Sequence, residues 1–283
     1  SILIDDGCIA LAVMKKDGDQ LICHVENDGV IHARKSVNIP SVHVRLPALS
    51  EKDKDFIRFA ADNGLDFIAH SFVRSKHDVF AVREILDQKN SAIKIIAKIE
   101  NAQGVDNLDE ILDHAYGVMV ARGDLAVEIP TEQIPLIQKR MIRTCIERRR
   151  PVIVATQMLH SMIESPRPTR AEVSDVANAC LDRADALMLS GETASGKYPE
   201  VAVRTMAKIA QEVENRQSSF IDVPYTLENK ITAYLAKAAV KAALRLNTQG
   251  IVADSVTGKS ILALAAYRGD NPIYAQVYDM KVM

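Results

Sequence analysis

Polar side chains gather just after short apolar runs at five places: His70-Ser71-Phe72, Lys98 with Glu100, Arg122-Gly123-Asp124, Thr156-Gln157 and Ser190-Gly191-Glu192. Within IKIIAKIEN, Lys98 and Glu100 are two apart, so on an extended strand both project to one side while Ile99 faces the other. A cation and a carboxylate then share one pocket. A lone Lys-x-Glu also reads as a structural ion pair at a strand end. Burying such a pair in an apolar run is costly without added purpose, however. Glu100 and Asp124 together can chelate one metal, and two carboxylates with open positions suit Mg²⁺ or Mn²⁺. Gly123 lets the backbone approach a ligand closely, although an isolated Arg-Gly-Asp is equally a solvated turn. Thr156 and Ser190 offer hydroxyls that bind substrate oxygens or pass a proton through water, and in that position they also cap helices. Taken together, these groups suit a phosphoryl-transfer site or a metal-enolate site, since both reactions neutralise charge developing on oxygen.

The elements that must position these groups are legible around them. LDFIA, IKIIA, GVMVA, PVIVA and DALML are too short for helices and rich in residues suited to strands buried on both faces. Amphipathic stretches separate them, which predicts five successive βα units. Ser50 with Asp53 opens one helix, closed at Asn63-Gly64. Thr169 with Glu172 forms a capping box ahead of Val173, Val176, Ala177, Cys180 and Leu181. Five units fit part of an eight-fold βα barrel or an open doubly wound sheet. In a barrel, the strand ends and following loops converge on one face, so groups distant in sequence meet around one ligand. Before Leu46 the texture is short strands broken by turns at Asp17-Gly18 and Asp28-Gly29, a small β module. From about Pro224 a helix with Ile231, Leu235, Ala238 and Ala242 leads to GIVA and a second helix after Lys259, the pattern of another α/β domain.

The 283 residues are 48% hydrophobic and 25% charged, with a net charge of -2, the composition of a globular protein with ample core. Neither a polybasic surface for nucleic acid nor an apolar run near the ~20 residues of a membrane span is present. Cys8, Cys23, Cys145 and Cys180 are scattered without a CxxC pair, which fits a reducing, cytoplasmic setting. The start, SILIDDGCIALAV, lacks signal-peptide features and begins on an apparent strand, so it reads as a cut start.

ILIDDG, VNIPS, LPALSEKD, SFVR, AKIEN, ARGDLAVE, VATQML, PRPTRAEVSDVANA and LMLSGETASGKYP occur in that order between Ile2 and Pro199, and together they resemble the pyruvate kinase family. The resemblance implies transfer of a phosphoryl group from phosphoenolpyruvate to ADP, with protonation of the resulting enolate, on an eight-fold TIM-type barrel using Mg²⁺ and usually K⁺. It implies that Lys98 stabilises the phosphoryl group, that Glu100 and Asp124 hold Mg²⁺, and that Gly123, Thr156 and Ser71 contact substrate. Ser190, with Glu192, would lie in the proton-relay region, where Glu192 reads equally as a structural partner of neighbouring backbone. Lys35 matches a lid position that reaches nucleotide phosphate. Residues 1–46 would be part of the β lid, 47–222 the last five βα units of the barrel with the preceding helix, and 223–283 the start of an α/β effector domain. The K⁺ ligands and three further barrel strands would precede Ser1, so the isolated chain is expected to be impaired.

Ser36, Ser41 and Ala126 stand where the family pattern has glycine, which raises an expectation of backbone strain. ERRRP also departs from the usual small-residue turn. SVTGKS matches the family's sugar-phosphate effector loop or a helix-capping turn, and its spacing is not that of a Walker loop. A homotetramer is expected from the family, and the helix after Lys230 suits an interface or a core equally. The competing readings are a metal-dependent pyruvate-enolate aldolase or lyase, which needs no nucleotide, and a non-catalytic fragment.

Overall fold

A computed structural model describes all residues except 6, 32, 34, 41, 43–46, 217–229 and 279–283. Both expected domain boundaries, and Ser41, lie outside the described residues. The elements run β1 (Ile2–Ile4), β2 (Ile9–Asp17), β3 (Gln20–Val25), β4 (Val37–Asn38), α1 (Glu51–Asp62), β5 (Phe67–His70), α2 (Lys76–Gln88) and β6 (Lys94–Ile99). They continue with α3 (Ala102–Asp106), α4 (Leu108–His114), β7 (Gly117–Ala121), α5 (Arg122–Glu128), α6 (Ile134–Glu147), β8 (Val152–Ala155), α7 (Arg170–Leu181) and β9 (Ala186–Met188). The last are α8 (Gly191–Ala194), α9 (Pro199–Arg216), α10 (Lys230–Arg245), β10 (Ile251–Ser255), α11 (Lys259–Ala265) and β11 (Ile273–Val277). Two compact units result, one of Ser1–Met141 with Val154–Gln157, the other of Ile142–Ile153 with Met158–Met283.

In the first unit, the segment before residue 46 forms an antiparallel sheet in the order β3-β2-β1-β4, with no helix among its described residues. Beyond it, β5, β6 and β7 pair in parallel, with Phe67 opposite Lys94 and Ile96 opposite Gly117. All five residues of β7 are buried, as expected for a strand covered on both faces. Strand order follows chain order through β5, β6, β7 and β8, and in the second unit β9 follows β8. The strand order runs one way throughout, whereas a doubly wound sheet reverses its strand order at a switch point. The arrangement is therefore that of consecutive barrel units, an α/β fold on a parallel sheet.

The capping predictions hold atom by atom. Ser50 Oγ accepts the Asp53 N–H while Asp53 accepts the Ser50 N–H, and α1 closes at Asn63 ahead of Gly64 at φ +64°. Thr169 and Glu172 form the same reciprocal pair at α7. Helical spacing of apolar residues does not by itself say which of them are buried. In α7, Val176 and Ala179 are buried but Val173 and Leu181 are exposed. In α10 the buried face is Ala233, Ala236, Val240 and Ala243, whereas Ile231 and Leu235 are exposed. An alanine-rich helix carries two apolar stripes, and the one with small side chains packs more closely against its neighbours.

The strain expected where glycine is replaced is absent at two positions. Neither Ser36 nor Ala126 has a positive φ, Ala126 because it lies inside α5. In SVTGKS, Gly258 takes φ +76°, and its N–H donates to Ser255 Oγ at 3.0 Å directly before α11, forming a tight strand-to-helix turn.

Candidate active site

In the first unit, β6 delivers Lys98 and Glu100 as the alternation requires: Ile95, Ile96, Ala97 and Ile99 are buried, and the two polar residues meet at the strand end. Lys98 Nζ lies 2.6 Å from Glu100 Oε1 and donates to Ser71 Oγ at 3.1 Å. The Lys98 side chain is 24% exposed and that of Glu100 only 1%. Glu100 Oε2 accepts the Phe72 N–H at 2.6 Å, and Phe72 sits at φ +53°. The carboxylate thus holds the chain just past β5 in a left-handed conformation, which brings Ser71 to the lysine. One face of Lys98 stays open to solvent, while its charge is balanced from within.

A second cluster forms after β7 and β8. Arg-Gly-Asp is not a solvated turn here: α5 starts immediately after β7 and Asp124 lies in its first turn, where a carboxylate is favoured by the helix dipole. The Gly123 N–H donates to Thr156 Oγ1 at 2.7 Å, and that hydroxyl donates to Ala155 O at 2.7 Å. Thr156 stands at φ +68°, a costly position for a β-branched side chain. Arg122, buried, holds it there by donating from Nη2 to Thr156 O at 2.8 Å. This role for Arg122 was not anticipated, because nothing local marks a threonine as left-handed. Gly123 itself has no positive φ, and a Cβ there would meet Thr156 Oγ1 at an ordinary 3.4 Å. Any demand for glycine at this position comes from a ligand rather than from the fold.

The remaining predicted residues are placed elsewhere. Lys35 pairs with Asp5 at 3.0 Å within the segment of the antiparallel sheet. His70 is buried, and burial pushes its imidazole below the ordinary value against the opposing pull of Asp78 and Asp53, so it is neutral at pH 7. A cavity of about 870 Å³ is lined by Phe56, Ile57, Ile68 and His70 and also by Ser71 and Phe72, the partners of Lys98 and Glu100, although Lys98, Glu100 and Thr156 do not border it. In the second unit, Ser190 ends the β9 segment and Glu192 accepts main-chain N–H groups from Ser190 at 2.8 Å and Leu159 at 3.0 Å. Of the two roles open to Glu192, that of backbone partner is the one its contacts display.

Among the described residues, no group of three or more His, Cys, Asp or Glu side chains gathers as a ready-made metal cage. Glu100 and Asp124 remain the candidate ligands. An all-oxygen pair suits a hard divalent ion that keeps water and takes further oxygens from a substrate. The buried and tethered Glu100 carboxylate is pre-oriented for such a role.

A family model described as pyruvate kinase, barrel domain, matches residues 1–203. The pyruvate kinase of Borreliella burgdorferi is 49% identical over 276 residues, covering 96% of this chain and 58% of that protein. Those of Clostridium acetobutylicum and Geobacillus stearothermophilus are 45% and 50% identical over 286 and 283 residues, covering 60% and 48% of their own lengths. The chain therefore spans about half to three-fifths of the curated relatives it matches. With the family model covering well over half of the sequence, the chain belongs to the pyruvate kinase family.

Proposed function

We propose that the protein transfers a phosphoryl group from phosphoenolpyruvate to ADP, giving pyruvate and ATP, as a cytoplasmic, homo-oligomeric, glycolytic enzyme of the tetrameric kind usual in its family. The observation that carries this reading is Lys98, a partly open cation fixed at a strand end by Glu100 and Ser71. In-line transfer breaks the bond between the enol oxygen and phosphorus and forms one from phosphorus to the terminal ADP oxygen. The equatorial oxygens carry the charge that Lys98 faces. Glu100 and Asp124 would hold Mg²⁺, or Mn²⁺, which when bound neutralises substrate oxygens. The Gly123 N–H, which here donates to the Thr156 hydroxyl, and that hydroxyl, which here donates to Ala155 O, would turn to the substrate carboxylate. The enolate left behind takes a proton at its methylene carbon, with the Ser190 hydroxyl as the candidate on that path. Lys35 would reach nucleotide phosphate after exchanging Asp5 for it. The segments 1–46, 47–222 and 223–283 then serve as lid, barrel and effector-domain portions.

The test is steady-state conversion of phosphoenolpyruvate and ADP by the purified protein with Mg²⁺, in which the chain by itself is expected to turn over more slowly than its full-length relatives, alongside Lys98→Met. Loss of one preorganised charge should lower kcat by roughly 10²–10³-fold. Cleavage of a hydroxy-keto acid without nucleotide, or turnover indifferent to Lys98, would refute the reading.

A further inference from the structure

The carboxylate of Glu192 is buried to 1% exposure in the second unit and belongs to none of the contacts made by Lys98 or Thr156. Its Oε1 accepts the Leu159 N–H at 3.0 Å and its Oε2 the Ser190 N–H at 2.8 Å. Leu159 precedes the short 3-10 turn His160–Ile163, and Ser190 is the last residue before α8. One side chain therefore ties together the main chains that follow two successive strands. The surroundings leave this tie little freedom. The Lys197 N–H donates to Ile163 O at 2.8 Å. A Cβ at Gly196 would meet Glu192 O at 2.5 Å and Ile163 Cα at 3.2 Å, so the close approach of the chain to α8 and to the 3-10 turn requires glycine there.

The Ser190 side chain is placed by this arrangement rather than by a bond of its own. Its Oγ is buried and has no hydrogen-bond partner among the described residues, and it does not cap α8. A buried hydroxyl left without a partner costs about 1–3 kcal/mol, which marks a group kept for a water or substrate atom. We propose that Glu192 is a positioning residue: its carboxylate clamps the Ser190 and Leu159 amides and thereby presents the Ser190 hydroxyl to the reaction, and it passes no proton itself. Each oxygen is already engaged by a main-chain N–H, the arrangement of a tether. The kinetic part of this inference rests on the proposed phosphotransferase reading, whereas the clamp itself does not.

The experiment uses the whole protein carrying Glu192→Gln, Ser190→Ala or both. Glutamine keeps the shape but turns an NH₂ toward one of the two amides. Amide exchange at Leu159 and Ser190, read by mass spectrometry or NMR, should accelerate about tenfold or more in Glu192→Gln at an otherwise native circular dichroism spectrum. In kinetics, kcat should fall about tenfold with the KM for ADP changed less than about twofold. The double variant should be no slower than Ser190→Ala alone, because both changes act through one hydroxyl. Unchanged amide exchange overturns the clamp. Unchanged kcat, or additive losses in the double variant, overturns its link to Ser190. Loss of solvent-deuterium exchange into the pyruvate methyl group in Glu192→Gln, where Ser190→Ala retains it, assigns Glu192 itself to the relay and also overturns it. Should the native protein lack phosphotransferase activity, the proposed function fails while amide exchange still decides the clamp. If Glu192→Gln does not fold, Glu192→Asp, which keeps the charge but is one methylene too short to hold both amides, supplies both the exchange and the kinetic arm with the same expectations.

Discussion

Replacing Glu100 by glutamine removes a charge while keeping the shape, and its cost can be worked from the contacts. The native carboxylate makes a charge-assisted bond to Lys98 at 2.6 Å and accepts the Phe72 N–H at 2.6 Å. Glutamine retains one carbonyl oxygen for Phe72 but sets an NH₂ against the Lys98 ammonium. A hydrogen bond to a charged group contributes about 1.5–3 kcal/mol. Breaking a fully buried pair costs about 3–5 kcal/mol, but Lys98 is 24% exposed and water recovers part of its loss, so the lower range applies. We expect about 2 kcal/mol, or roughly 4–8 °C in Tm for a domain of this size. Urea and thermal unfolding at pH 7 measure it. Lys98→Met combined with Glu100→Gln should restore about half of the loss, because the stranded ammonium is then gone. A single variant within about 0.5 kcal/mol of native, or a double variant worse than the sum of the singles, would refute the claim that the carboxylate holds Lys98 and Phe72 together.

Other outcomes follow from the same contacts. Arg149 occupies a left-handed position, φ +56°, at the end of α6, where its own N–H and that of Arg150 close the helix on Ile146 and Cys145. Arg149→Gly should therefore stabilise by about 0.5–1 kcal/mol, read by urea midpoint. Glu172 accepts from Ser161 and Thr169 through both main chain and hydroxyl, and although burial opposes ionisation these bonds hold its carboxyl below the ordinary 4.5. A depressed carboxyl contributes stability above its unfolded value and loses it as pH falls through the folded one. Glu172→Gln should thus cost about 1–2 kcal/mol at pH 7 and flatten acid unfolding below about pH 4.5. Tyr267→Phe, which deletes the buried hydroxyl bond to Ala233 O at 3.0 Å, should lower stability by about 1 kcal/mol and loosen α11 against α10 in amide exchange.

What the sequence disclosed was local or periodic. Ser50 with Asp53 and Thr169 with Glu172 are read within four residues, and the structure closes both capping boxes. The alternation that sends Lys98 and Glu100 to one side of β6 is a property of the strand itself. The left-handed turns at Phe72 and Thr156 were not legible, because bonds from Glu100 and Arg122, distant in sequence, impose them on residues that do not choose them. The same holds for the amides gathered by Glu192. The stripe of Ile231 and Leu235 on α10 reads equally as interface or core because periodicity finds a stripe without knowing which neighbour covers it, and within this chain both side chains are exposed. The place of Asp124 in a helix rather than a solvated turn shows the other limit, since nothing before Arg122 resembles a cap.

Diffraction from crystals grown with Mn²⁺ and collected at its absorption edge tests the central claim most directly. An anomalous peak roughly 2.1 Å from carboxylate oxygens of both Glu100 and Asp124, with Lys98 beside the substrate oxygens, is the predicted result. A peak bound by only one of these carboxylates, or by neither, would contradict the account.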